Sequence, residues 1–546
     1  MSADATAISR NSPAVPTPSP GSGAPLHSTI TPALRAIITM TVMIASVMEV
    51  LDTSIVNVAL PDMMGNLGAT LDQIGWVSTG YIIANVILLP LTGWLSDYFG
   101  RKMYLFYSVL LFTIASFFCG TSHSLNELIL WRVIQGAGGA AFLSTAQATL
   151  LEIFPPNKRA VAQAIFGLGI VVAPTLGPTV GGFLTSRFSW PWIFWVNIPL
   201  GIICAVNILL YVPNSPNAGA KRGADFLGIL LLAIGLGSLQ AMLERGEAED
   251  WFETRYIVLL AVTAIVGMIS FVWWQRHPSN KNPAVDLTVL KNRNLLSGTV
   301  VALSLGFGLY GSVFLIPQFL QSVQSHTAEQ AGLLLIPGGL MTAAMMPIVG
   351  KFGNKTDLRL FIAAGIVLFG VGMLDFSWLT TSNSPDEALL IPLLLRGAGI
   401  GLQIVPLSLV TLGTLEPNQI SQGAGLYNLF RQLGGSFGIA IIATILDRRQ
   451  HFHFTVLSER ASLYNPLTQE RLAQIQNGLM SKGMSATDAK LGAMKALGNT
   501  LRGQSYVLAF NDAFFMMGVI MLAGLFLILL LKKAKPRQGG GGGGAH

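Results

Sequence analysis

Two carboxylates stand inside one apolar run near the start of this 546-residue chain: Glu49 and Asp52, three positions apart. On a helix they share a face. Asp52 sits within Leu51-Asp52-Thr53-Ser54-Ile55-Val56-Asn57-Val58-Ala59-Leu60-Pro61, where the hydroxyls and the amide add a polar stripe. In a low-dielectric setting two such acids oppose each other's ionisation and desolvation acts the same way, so a proton on at least one is favoured. A carboxyl that takes up and gives off a proton near neutral pH is the chemistry of a proton-coupled carrier. Arg132, inside another apolar run, is the cation within reach; it favours an ionised Asp52, and protonation releases the pair. The plainer alternative is a static pair that merely holds two helices together. Ionisable residues kept inside apolar spans mark ion pathways or structural pairs.

Three more sets of residues are candidates. Arg396, and Arg431 with Asn428 near it, also fall inside apolar runs; they are read as substrate contacts or gating residues, or else as bridges to helix ends. The turn Gly93-Trp94-Leu95-Ser96-Asp97-Tyr98-Phe99-Gly100-Arg101-Lys102 places Asp97 at the C-terminal end of its helix, where the dipole disfavours an anion. Arg101 or the positive N-terminus of a neighbouring helix must compensate it. A contact there between two halves of a carrier forms and breaks as the halves rock; an intraloop salt bridge is the alternative. Finally, Pro174, Gly177, Pro178, Gly181 and Gly182 crowd one apolar run. Prolines bend a helix and glycines allow close approach, so the stretch is read as a hinge and seal, with ordinary packing as the alternative.

The elements that must position these groups follow from composition. The chain is 52% hydrophobic and only 11% charged, where soluble chains carry about a quarter charged residues. The fold class is an all-α polytopic membrane protein. Fourteen apolar spans are expected over 35–60, 75–97, 104–121, 126–150, 160–183, 192–212, 225–243, 255–274, 295–318, 330–350, 358–379, 387–413, 422–446 and 510–531. With the N-terminus inside, cytoplasmic segments hold 19 Lys and Arg and the short external loops only Arg187, Arg245 and Arg255. That asymmetry puts both termini in the cytoplasm. Pro90–Gly93 resembles Pro347–Gly350, and Arg132 with its glycines resembles Arg396 with Gly397, Gly399 and Gly401. The second half thus repeats the first with two helices inserted, a 6+2+6 plan with the substrate site between the halves. The expected parts are a disordered cytoplasmic tail (1–34), a six-helix bundle (35–212), a linker with two inserted spans (213–275) and a cytoplasmic loop (276–293). A second bundle follows (294–446 and 510–532), with a long periplasmic loop (447–509) and a flexible cytoplasmic tail (533–546).

Other classes are read out by what is missing. The net charge of +7 belongs to topology, not to nucleic acid. Cys119 and Cys204 lie in apolar runs, without partners at ligand spacing, and are read as packing residues, so no metal site is expected. No phosphate-cradling loop or hydrolase constellation is present, so the chain reads as a secondary carrier and not an enzyme. No cofactor is expected; the proton gradient is the energy source.

These residues resemble the major facilitator superfamily, and within it the fourteen-helix drug:proton antiporter group (EmrB/QacA type) with its EmrB-type multidrug exporters. The likeness covers about 35 to 535. Gly93–Lys102 resembles the superfamily's first signature, Leu130–Gly136 the signature whose arginine is implicated in proton transfer, Gly177–Gly182 the antiporter signature, and Leu51–Pro61 the first-helix motif with Asp52 as its acid. The resemblance implies proton-driven efflux of amphipathic compounds across the bacterial inner membrane, a gating role for Asp97, and a periplasmic adaptor and outer-membrane channel as partners. A dedicated exporter of one endogenous molecule, such as a fatty acid or siderophore, is the alternative. In the repeat, Asn354 stands about where Asp97 would be, which implies asymmetric gating. The segment 447–509 has apolar residues at helical spacing and fits a docking role, or else an amphipathic hairpin on the outer membrane surface.

Overall fold

The computed structural model describes residues 30–214, 223–353, 356–462 and 464–532. Most of the expected N-terminal tail, Lys221 and Arg222, Asn354 and Lys355, and the glycine-rich end lie outside the described residues. The described secondary structure is entirely helical. A first bundle comprises α1 (Pro32–Leu67), α2 (Trp76–Leu88), α3 (Thr92–Phe99), α4 (Arg101–Thr121), α5 (Leu125–Ile153), α6 (Arg159–Arg187) and α7 (Asn197–Tyr211). An inserted pair follows, α8 (Phe226–Arg245) and α9 (Arg255–Arg276). The second bundle holds α10 (Arg293–Ser322), α11 (Ala328–Phe352), α12 (Leu358–Leu379), α13 (Leu390–Leu412), α14 (Ile420–Arg460), α15 (Pro466–Met480) and α16 (Ala486–Ala523). Helix starts carry the caps their sequences advertise: Thr31 accepts from Leu34 N–H, Ser124 from Glu127 N–H, and Thr327 and Gln330 form a reciprocal box.

Among the described residues twelve helical stretches, α2 and α3 together making one of them (Asp72–Phe99), are long and apolar enough to cross a membrane, and thirteen if α6 counts, which is bent by 41° between Val171 and Leu176. Fourteen spans are expected from the sequence; twelve or thirteen meet this measure of length and apolarity. The shortfall is α5. It is 29 residues long, but from Gly138 to Leu151 every residue is buried, and its glycines, Gln135 and Gln147 lower its apolarity. A helix walled in by other helices has no need of a lipid-compatible surface. The opposite case is α9, whose apolar window is only 22% buried and which shows Val262, Ile265, Val266 and Ile269 to the outside.

The two bundles meet along α6–α11 on one side and α2/α3–α14 on the other, and α8 packs against both α2 and α14. The guanidinium of Arg35, at the start of α1, lies 5.5 Å over Phe154 at the end of α5. Lys532 N–H donates to Asn294 Oδ1 (3.1 Å) at the start of α10. With α3 packed on the start of α14, both described chain ends emerge on one face, the tail face.

The segment 447–509 is not an irregular loop. The 41-residue α14 runs unbroken to Arg460, and α16 starts at Ala486. At 1.5 Å per residue α14 is about 60 Å long, twice a bilayer core of about 30 Å. These rods, with α15 beside them, extend well past the apolar zone opposite the tail face. Asp512 ties them together, accepting from Arg449 Nε (2.5 Å) and lying 2.7 Å from His453 Nε2.

The inserted pair is anchored by one carboxylate. Asp225, the N-cap of α8, accepts from Gly228 N–H, Trp274 Nε1, Gln275 Nε2 and Asn280 Nδ2, each at 2.8 Å, and from Ala284 N–H at 3.3 Å. Burial opposes its charge, yet the donors led by Trp274 and Gly228 hold the carboxyl below its ordinary value of 3.8. A depressed folded-state value gives stability that is complete above the ordinary range and lost as pH falls through the depressed one. Asp225→Asn is expected to lower thermal stability by a constant amount between pH 5 and 7, by roughly the strength of one charged hydrogen bond (about 1.5–3 kcal/mol). The difference from wild type should shrink only below pH 3.8. Melting curves across that pH range check it; a gap that closes near pH 6 would contradict it.

Candidate functional site

The expected contact between Asp52 and Arg132 is present. Asp52 is 1% exposed, and its Oδ2 accepts from Arg132 Nη1 at 2.5 Å. Its Oδ1 accepts from Gln135 Nε2 (3.0 Å) and Asn197 Nδ2 (2.9 Å). Arg132 also donates to Gln135 Oε1 (2.7 Å) and the Val77 carbonyl (3.1 Å), and its guanidinium lies 4.3 Å over the Tyr81 ring. Gln135 Nε2 further donates to Ser116 Oγ (2.7 Å). One buried node thus joins α1, α2, α4, α5 and α7. The roles of Ser116, Gln135 and Asn197 were not visible in sequence, although Gln135 stands one helical turn from Arg132 and Asn197 is one of two amides, with Asn207, in an apolar run.

Glu49 has a separate set of partners. It accepts from Asn85 Nδ2 (3.1 Å) and Leu143 N–H (3.3 Å), and among the described residues it makes no ion pair. The two acids share a helix but not an environment: Asp52 is locked to a cation, and Glu49 faces a cavity. That cavity, of about 230 Å³, lies between the bundles and is lined by Glu49, Tyr81, Arg132, Glu244, Tyr310 and Gln432 among others. Arg431, from the second bundle, is the cation whose field reaches Glu49, and among the described residues its Nε has no hydrogen-bond partner. Toward the face opposite the tails the cavity ends at the exposed Asn57 and the half-buried Ser78, hydrogen-bonded to each other (3.0 Å).

On the tail-face side the halves are sealed by neutral polar groups. Asn428 Nδ2 donates to Gln147 Oε1 (3.1 Å), Gln147 Nε2 to Gln163 Oε1 (3.4 Å), and Ser408 Oγ to that same oxygen (3.2 Å). This ladder crosses between the bundles twice. Of its members only Asn428 was singled out in sequence. Below it, a Cβ on Gly93 would fall 2.2 Å from Gln422 Oε1 and 2.8 Å from Gln422 Cα, and Gln422 Nε2 donates to the Pro90 carbonyl (3.3 Å). Gly100 takes φ +78° between α3 and α4, a conformation other residues rarely adopt. Arg101 directs both terminal nitrogens at Glu152, and Lys102 Nζ donates to the Leu209 carbonyl (2.8 Å). Asp97 lies in the last turn of α3, the helix that packs on the start of α14. Gly93→Ala is expected to wedge this contact open, at about 1–3 kcal/mol of overpacking. A cysteine placed at Gln163 should then label faster from the tail face; unchanged labelling would show that the contact yields freely.

The prolines and glycines read from the sequence as a hinge sit next to the charged node. A Cβ on Gly177 would lie 1.9 Å from Ser54 Oγ, and one on Gly181 3.1 Å from the Ile55 carbonyl, so both glycines let α6 close on α1 beside Asp52. Pro174 lines the cavity and Pro178 lies inside α6. Gly182 faces open space, so packing does not demand it. Arg396 Nε donates to Ser312 Oγ (2.8 Å), joining α13 to α10 as Arg132 joins α5 to α1. The second half repeats the geometry with a hydroxyl in place of the carboxylate. Among the described residues no three His, Cys, Asp or Glu side chains group as metal ligands.

The model of the Major Facilitator Superfamily matches residues 42–439. The chain is similar to the multidrug export protein EmrB of Escherichia coli K12, 36% identical over 90% of this chain and 94% of that one. It is also similar to the fatty acid resistance protein FarB of Neisseria gonorrhoeae (34%, 90% and 94%) and the colistin resistance protein EmrB of Acinetobacter baumannii (29%, 88% and 93%). Among solved structures it shares its fold with the human organic anion transporter MFSD10, at TM-score 0.59 and 15% identity, covering 91% of this chain and 100% of that one. The proton:xylose symporter XylE follows the same fold (TM-score 0.54, 14% identity, 90% and 96%).

Proposed function

Because the chain belongs to the Major Facilitator Superfamily, as an EmrB-type exporter, we propose that it uses the proton gradient to expel amphipathic, largely apolar toxic compounds by alternating access. It is a multi-pass protein of the bacterial inner membrane. Counting α5 and α6 gives fourteen spans in a 6+2+6 plan, and the 19-to-3 distribution of basic residues makes the tail face cytoplasmic. The structure is then the outward-facing member of the cycle, sealed inside by the ladder and by the Gly93–Gln422 contact. Its cavity is smaller than the roughly 300–1000 Å³ of drug-sized sites, so substrate binds as the halves part.

One observation carries the coupling: a carboxylate that makes no ion pair among the described residues faces the cavity, while its neighbour three residues away is locked to Arg132. Glu49 is the proton carrier in this reading. Its charge faces Arg431 across the bundle boundary, and protonation cancels that attraction. The equilibrium between the two conformations then shifts by the difference in this interaction. Asp52 and Arg132 hold the wall in place. Asp97, Gly93, Gly100, Arg101 and Lys102 form the cytoplasmic gate, and Pro174, Gly177, Pro178 and Gly181 the hinge. The α14–α16 rods, with Leu467 and Leu491 exposed near their tip, are the docking element for a periplasmic adaptor that leads to an outer-membrane channel.

The relative named for fatty acid resistance supports a second reading, a dedicated exporter of one endogenous molecule. Proteoliposomes with an internal pH dye separate the two. Proton movement driven by several unrelated amphipaths supports multidrug efflux; movement with fatty acids alone supports the second; none with any compound, with purified adaptor present, would sink both.

A further inference from the structure

The inserted helix pair does more than connect the bundles. α8 packs against α2 and α14, and its last turn brings Glu244 into the wall of the central cavity. One carboxylate oxygen accepts from Gln240 Nε2 (2.8 Å), and that same nitrogen donates to Ser436 Oγ on α14 (2.8 Å). The amide thereby fixes the acid's direction and joins the inserted pair to the second bundle. Glu244 makes no ion pair among the described residues. The adjacent Arg245 is turned away, donating to the Asp72 carbonyl (2.9 Å), approaching Glu249 (3.4 Å) and lying 5.7 Å over Trp76. Arg132, the cation in the cavity wall, is neutralised by Asp52.

We infer that Glu244 is the anionic contact for the positively charged end of an amphipathic organic cation, and that the inserted pair is a specificity-determining wall of the site. Tyr81, Tyr310 and Phe314 line the same space. Aromatic faces attract cations as well as apolar bodies, so a carboxylate among aromatic rings suits a lipophilic cation. This rests on the export reading above, and gives the two cavity acids different tasks: Glu49 exchanges the proton, Glu244 recognises charge. Neutral substrates use the aromatic wall without Glu244.

The test is equilibrium binding to the full-length protein in nanodiscs, with tetraphenylphosphonium, whose charge does not titrate, and neutral triphenylphosphine oxide. Glu244→Gln is expected to weaken the cation roughly 10- to 100-fold, the loss of one charge-assisted contact, and to leave the neutral probe unchanged. Glu244→Asp should recover most of the affinity. Equal affinity of wild type and Glu244→Gln for the cation overturns the inference. Equal loss of both probes overturns it too, since that marks a merely structural role, as does loss of proton release with the neutral probe, which would make Glu244 a proton site. A wild type that binds the neutral probe alone removes the cation assignment and leaves the export reading standing; one that binds neither removes both.

Discussion

Glu49→Gln is expected to abolish substrate-driven proton movement in proteoliposomes, down to the level of empty vesicles, while exchange of labelled for unlabelled substrate across the membrane persists. Glutamine keeps the size, and its single carbonyl oxygen can still accept from one of the two partners of Glu49, Asn85 Nδ2 or Leu143 N–H, which meet different oxygens of the carboxylate. What it lacks is a proton to trade. The variant mimics the protonated carrier permanently, so the attraction toward Arg431 is gone in both conformations and the substrate cycle runs without its driving force. Binding persists because the aromatic wall is intact. Loss of exchange together with coupling would instead make Glu49 a structural element. Coupling that survives in Glu49→Gln would move the proton elsewhere on the molecule.

Arg132→Met carries the other large effect, on stability. Arg132 and Asp52 are each about 1% exposed. Removing the guanidinium leaves a buried carboxylate with only the Gln135 and Asn197 amides, and also takes one donor from the Val77 carbonyl. Breaking one partner of such a pair costs about 3–5 kcal/mol, whereas replacing both partners is far milder. The single variant should therefore melt many degrees lower, and Arg132→Met with Asp52→Asn should recover most of the loss. Cys119 and Cys204, both buried, give a convenient readout with a thiol-reactive dye. A double variant as unstable as the single one would mean that the wider node, not the ion pair, holds these helices.

Much of the site was legible because charge is rare in an apolar run. Asp52 and Arg132 had few other partners to choose from, so the pairing followed from their presence. Glu49 was legible as an acid but not as a separate one; three residues along a helix say that two side chains share a face, not which cavity or neighbour each meets. The neutral ladder of Gln147, Gln163 and Ser408 left no trace, since a single amide or hydroxyl in a glycine- and alanine-rich helix reads as packing. Glu244 was hidden by its neighbours: followed by Arg245 and Gly246, it looks like the polar end of a span. The same logic explains α5, where polar residues that belong to the interior depress the apolarity on which span counting depends. In 447–509 the helical spacing was visible, but not that the helices continue the spans without a break, because no proline or glycine signal tells a straight rod from a folded hairpin.

The most direct test of proton exchange at Glu49 is the proton released when substrate binds. A weakly buffered sample of the purified protein at neutral pH, with a pH indicator, would be titrated with a neutral amphipathic substrate. The wild type and Asp52→Asn are expected to release protons on binding, and Glu49→Gln to bind the same compound and release none. Release that persists in Glu49→Gln and disappears in Asp52→Asn would contradict the assignment and place the exchanging proton on the pair with Arg132.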